Sequence, residues 1–161
     1  MLPEFDQEMD STRKMLERVP DGKFSWKPHA KSMELGRLAS HVAELPFWAV
    51  ETVNRDVLEL TPDQKPFIAA STSDLLARFD EVRPLARAAI AGATDAHLAQ
   101  PWSLKYNGEI VLTLPRATVL RSVVMNHLIH HRAQVGVYLR LLDVAIPGMY
   151  GPSADEGRMF G

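Results

Sequence analysis

The sequence predicts an all-α protein: a four-helix bundle forming a single domain over residues 1–161. Three observations predict it. Four stretches repeat apolar residues at the three-to-four spacing of an α-helix. Connections rich in Pro and Gly separate them. A chain of 161 residues, 46% hydrophobic, suffices for one proper core and not for two.

The first helix is expected from about Pro3 to Arg18, with Phe5, Met9, Thr12, Leu16 and Val19 on one face. Pro20-Asp21-Gly22 stops it. Lys23 to Lys31 reads as an ordered loop anchored by Phe24 and Trp26. Ser32 is the expected N-cap of the second helix, with Glu34 in a first turn that favours negative charge. That helix runs to about Asn54 on a stripe of Leu35, Leu38, Val42, Leu45 and Ala49, with a kink or break at Pro46. His41 lies at the edge of the inward face, in the row Glu34, Leu38, His41, Leu45, Trp48.

Residues 56–70 hold Pro62 and Pro66 and read as a connection. Ser71-Thr72-Ser73-Asp74 opens the third helix. Its apolar face is Leu75, Phe79, Val82, Leu85 (or Ala86) and Ala89, with a bend at Pro84 and an end at Gly92. Between helices three and four, Asn107-Gly108 lies beside the β-branched Ile110 and Val111, so a small β-hairpin or a long loop is expected there. Thr113 or Leu114 caps the fourth helix, Pro115 stands near its first position, and it runs to about Asp143. The tail from Val144 to Glu156 is Gly/Pro-rich yet apolar enough to pack.

Composition excludes several kinds of chemistry. The chain has no cysteine, so disulfides, thiolate nucleophiles and Cys-ligated metals are absent. A net charge of −2 offers no basic stripe for nucleic acid. No apolar run is long enough to span a bilayer, and the acidic start Met1-Leu2-Pro3-Glu4-Phe5-Asp6 is no signal peptide. A cytoplasmic location is the default expectation. No phosphate loop, nucleophile elbow or dinucleotide fingerprint is present.

The chemistry concentrates in Asn126-His127-Leu128-Ile129-His130-His131-Arg132-Ala133-Gln134. Positions i and i+4 share a helix face, which brings His127 and His131 together, with Gln134 a turn beyond. Leu120, Val124, Val135 and Tyr138 continue the row, so both imidazoles sit in an apolar stripe facing the bundle interior. With His41 they make a three-histidine set, the way bundles present ligands to a metal. Three nitrogens and an open fourth position suit a catalytic rather than a closed structural site. Core histidines bonded to neighbours are the plain alternative. Glu44, one turn from His41, is a candidate general base, fourth ligand or orienting partner, or simply a solvated carboxylate. Gln134 and Arg132 are candidates to hold a ligating imidazole in place. Trp48, Trp102 and Tyr106 are candidates for a pocket wall, packing being the simpler role for each. His29 and His97 read as solvent-exposed.

A histidine on the second helix followed by His-x3-His-Arg-x-Gln on the fourth resembles the DinB/YfiT-like superfamily. So do Ser32-Met33-Glu34-Leu35-Gly36 before His41 and the closing tail from Pro147 to Glu156. The resemblance implies a four-helix bundle, usually dimeric, in which His41, His127 and His131 bind a divalent ion such as zinc or nickel. The family name does not imply DNA binding. His130 is a rival ligand three residues after His127; the facing of the helix and the resemblance together favour His131.

The function expected is a divalent-metal-dependent enzyme acting on a small molecule. Its ion activates water or a low-molecular-weight thiol, making it a hydrolase or thiol S-transferase. The partners expected are that substrate and a second copy of the chain, with neither nucleic acid nor membrane. The alternative is a non-catalytic metal-binding or structural dimeric bundle with a stress-related role.

Overall fold

A computed structural model describes residues 1–157. Helix α1 spans Leu2–Leu16, α2 Leu35–Glu44, α3 Phe47–Asn54 and α4 Thr72–Gly92; α5 is a single turn, Asp95–Leu98. One long helix then runs without interruption through α6 (Arg116–Val119), a π-helical segment (Leu120–Asn126) and α7 (His127–Leu141). Helices α1 and α2 each pack against α4 and α7, and α3 packs against α4.

The architecture is not all-α. Strands β1 (Val57–Leu60), β2 (Pro101–Tyr106) and β3 (Glu109–Pro115) form a mixed sheet in the order β1-β2-β3. β2 and β3 make the antiparallel hairpin that Asn107-Gly108 signals. Both turn residues have positive φ, 50° and 85°, as a two-residue hairpin turn matching strand twist requires. Val111 is the extra residue where the register shifts. β1 corrects the expectation of a plain connection over 56–70: it pairs in parallel with β2, from Val57↔Ser103 to Leu60↔Tyr106. Two buried groups fasten the sheet to the helices. Trp102 is fully buried and its indole N–H donates to the Glu51 carbonyl at 3.3 Å. Arg116, 2% exposed, donates to the carbonyls of Pro101 at 2.9 Å and Arg55 at 3.1 Å, and pairs with Asp56.

The α1–α4 contact carries a ladder of ion pairs: Asp6–Arg87, Asp10–Arg83 and Arg13–Asp80. The α4 number falls as the α1 number rises, which is the signature of antiparallel neighbours. Each pair is exposed and contributes little alone. The core beneath is apolar, with Phe5, Met9, Leu38, Phe79, Leu128 and Val135 fully buried.

Pro46 breaks the second predicted helix in two, because it has no N–H and its ring crowds the preceding turn. Pro84 lies inside α4, which is assigned continuously through it. Ser71 caps α4 as expected, its hydroxyl accepting from the Asp74 N–H at 3.1 Å. Ser32 does not cap α2. The loop before the helix does that work: the N–H groups of Leu35 and Gly36 donate to the carbonyls of Trp26 and Phe24, each at 2.8 Å. Gly36 permits this approach. A Cβ there would stand 2.5 Å from Phe24 Cδ1 and 3.0 Å from Phe24 Cβ. Gly36→Ala is therefore expected to destabilise the fold by about 1–3 kcal/mol, although alanine is the better helix former. Urea denaturation reads this directly, and a stabilised variant would show that Phe24 yields freely.

The long helix changes period before it reaches the histidines. Its buried residues Val119/Leu120 and Val124/Met125 are five apart, the spacing of a π-helix. From His127 onward the burial returns to α spacing at Leu128, Arg132, Val135 and Leu139.

Candidate metal centre

Three side chains meet where α2 faces the long helix. His41 Nε2 lies 3.3 Å from His127 Nε2, which lies 2.9 Å from His131 Nε2. His41, His127 and His131 offer ligand atoms all within 4.8 Å of one another. His130 is exposed; its ring centroid is 4.9 Å from that of His131, and it stands outside this group.

Backbone and side-chain acceptors choose the tautomers. His131 Nδ1–H donates to Gln134 Oε1 at 2.7 Å. His127 Nδ1–H donates to the Val123 carbonyl at 3.2 Å, a carbonyl of the π segment. With Nδ1 protonated, Nε2 of each ring carries a lone pair toward the other two rings. Such lone pairs repel unless a cation lies among them. A shared proton is the weaker solution here. Burial, then the His127 and His131 imidazoles and the Arg37 guanidinium, lowers the pKa of His41 to about 4. Burial and His131 lower that of His127 as well, against the opposing bond to Val123. The donor set therefore fits a divalent transition metal, and the lowered pKa values of His41 and His127 favour their ligating form.

The pKa has a measurable consequence. In metal-free protein the His41 ring should titrate near pH 4 by NMR, below its ordinary 6.5. Because the folded value is the lower one, the unfolded chain takes the proton first as pH falls. Stability from a neutral His41 is complete above pH 6.5 and is lost towards pH 4. A midpoint near 6.5 would mean the ring is solvated rather than packed against its neighbours.

Beside His41 opens a cavity of about 630 Å³. Arg37, Glu44, Trp48, Lys65 and Tyr106 are on its wall. Glu44 faces it from the same helix as His41, held by Arg78 at 3.4 Å. Arg132 points elsewhere: it is 2% exposed and bonded to Glu8, Thr12 and Tyr150, and none of its bonds among the described residues is to an imidazole. Of the aromatic candidates, Trp48 and Tyr106 line the cavity, while Trp102 is core. His97 is half-buried rather than exposed, its Nε2 donating to the Val53 carbonyl at 2.8 Å. His29 is exposed. Arg37 and Lys65 escaped notice in the sequence, yet Arg37 precedes His41 by four and shares its helix face.

A helical core with a small mixed sheet carries, between α2 and α7, three inward histidines that could hold a metal ion. The chain belongs to the DinB family, whose family model matches residues 1–158. It is 25% identical to the Bacillus subtilis protein YrdA, described as uncharacterized, over 99% of this chain and 92% of that one. Two solved structures share the fold. A DinB-like protein from Bacillus cereus superposes with a TM-score of 0.71 at 22% identity, over 92% of this chain and 95% of that one. A DinB-like protein from Bacillus subtilis gives 0.67 at 18%, over 98% of each. No described helix is long and apolar enough to cross a membrane.

Proposed function

We propose that the protein is a divalent-metal-dependent enzyme acting on a small molecule, with His41, His127 and His131 as ligands and the cavity beside His41 as the substrate site. The observation that carries this reading is the convergence of three Nε2 atoms, two of them fixed by bonds at Nδ1. A divalent ion held by His41, His127 and His131, zinc or nickel by affinity for imidazole, would supply Lewis acidity to acidify a water or low-molecular-weight thiol.

The remaining work falls to the chain. Val123 and Gln134 orient the rings. Glu44, on the cavity wall and held by Arg78, is the proposed acceptor for the proton of water or thiol. Trp48 and Tyr106 offer aromatic surface on the cavity wall. The reaction class is hydrolysis or thiol S-transfer.

Elemental analysis of untagged protein tests the reading. About one transition-metal ion per chain is expected, lost in His41→Ala together with turnover in screens for ester or amide hydrolysis and thiol transfer. Metal-free protein that also fails to take up zinc or nickel would remove the basis for an enzyme. Metal without turnover would leave a binding role.

A further inference from the structure

We propose that Arg37 recognises a carboxylate on the substrate, and that the cavity beside His41 is selective for small organic anions with an apolar body. This rests on reading that cavity as the substrate site.

The cavity is lined by three fixed cations, Arg37, Arg55 and Lys65, and two carboxylates, Glu44 and Glu51. Both carboxylates are already paired: Glu44 with Arg78 at 3.4 Å and Glu51 with Arg55 at 3.1 Å. Arg37 and Lys65 make no ion pair or side-chain hydrogen bond among the described residues. The wall therefore carries surplus positive charge. A divalent ion held by neutral imidazoles would raise that surplus.

Arg37 is the better placed of the two. It is half-buried, one turn before His41 on α2, and its charge is felt at that imidazole. A partly desolvated guanidinium without a counter-ion is unfavourable until a ligand supplies one. Its planar fork matches a carboxylate with two parallel bonds. Phe47 and Trp48 lie on the same wall and offer apolar surface to the body of such a ligand. Lys65 adds to the field without matching that geometry.

Isothermal titration of the metal-loaded protein with benzoate and with its neutral isostere benzamide tests this, with metal content measured on the same samples. Benzoate should bind at least about tenfold more tightly than benzamide. Arg37→Gln should abolish that preference and keep the metal. Arg37→Lys should retain part of it, and Lys65→Gln should weaken benzoate less than Arg37→Gln. Equal binding of the two probes, a preference unchanged in Arg37→Gln, or no benzoate binding at about 10 mM overturns the proposal. The titration is repeated on protein stripped of metal. A preference that needs Arg37 in either state supports the anion site, even if the metal measurement disproves the enzyme. A preference seen only with metal and indifferent to Arg37 shows benzoate ligating the ion, and the proposal fails while the metal site stands.

Discussion

Glu8→Ala is expected to lower stability by about 3–5 kcal/mol, among the largest effects of any single change in this chain. Glu8 and Arg132 form a buried pair, 4% and 2% exposed, with Arg132 Nη2 at 2.7 Å from Glu8 Oε2. The guanidinium also donates to the Glu8 carbonyl at 3.0 Å, to Thr12 Oγ1 at 3.2 Å and to the Tyr150 hydroxyl at 3.1 Å. Tyr150 in turn donates to Glu8 Oε1 at 2.9 Å, closing a loop that joins α1, α7 and the tail. Removing the carboxylate leaves a buried cation with no counter-charge. The thermal midpoint should fall by roughly 10 °C. Replacing both residues with methionine removes both desolvation costs and should restore most of the loss. A Glu8→Ala protein within about 1 kcal/mol of the parent would show that water reaches Arg132 readily.

Gln134→Ala should weaken metal binding about 10–100-fold, read by competition with a chromophoric chelator. Gln134 Oε1 is the acceptor that keeps the proton on His131 Nδ1. Without it the proton is free to sit on Nε2, and the ring is free to turn. Gln134→Glu keeps the acceptor and should keep the affinity, which separates orientation from packing. Equal affinity in all three proteins would mean that the helix alone sets the ring.

The helices were legible because their signals are local. Periodicity and Pro or Gly breakers mark each end, and Pro46 and Ser71 behave as their chemistry demands. β1 was not legible. Its four residues lack room for a period, and its partner β2 lies more than forty residues later. The start of α2 was misplaced for a related reason: the loop carbonyls of Phe24 and Trp26 replace a side-chain cap. The imidazole cluster was visible because a four-residue spacing is itself a statement about facing. Arg132 follows His131 directly, so it turns about 100° away, onto α1. Its role could be read only once α1 was seen to lie there.

The π segment before His127 has a consequence for how this helix can change. An insertion in a loop is absorbed by the loop, but no loop separates Pro115 from Leu141. Losing one residue over Leu120–Asn126 closes a wide turn to an ordinary one and leaves the downstream helix facing as before. The same loss in a regular α-helical stretch would swing everything downstream through about 100° relative to what precedes it. The segment is a phase adjuster written into the helix. Helices of this kind are properly aligned by hydrogen-bond register, and a gap placed outside the wide turn would pair each histidine with a residue about 100° away.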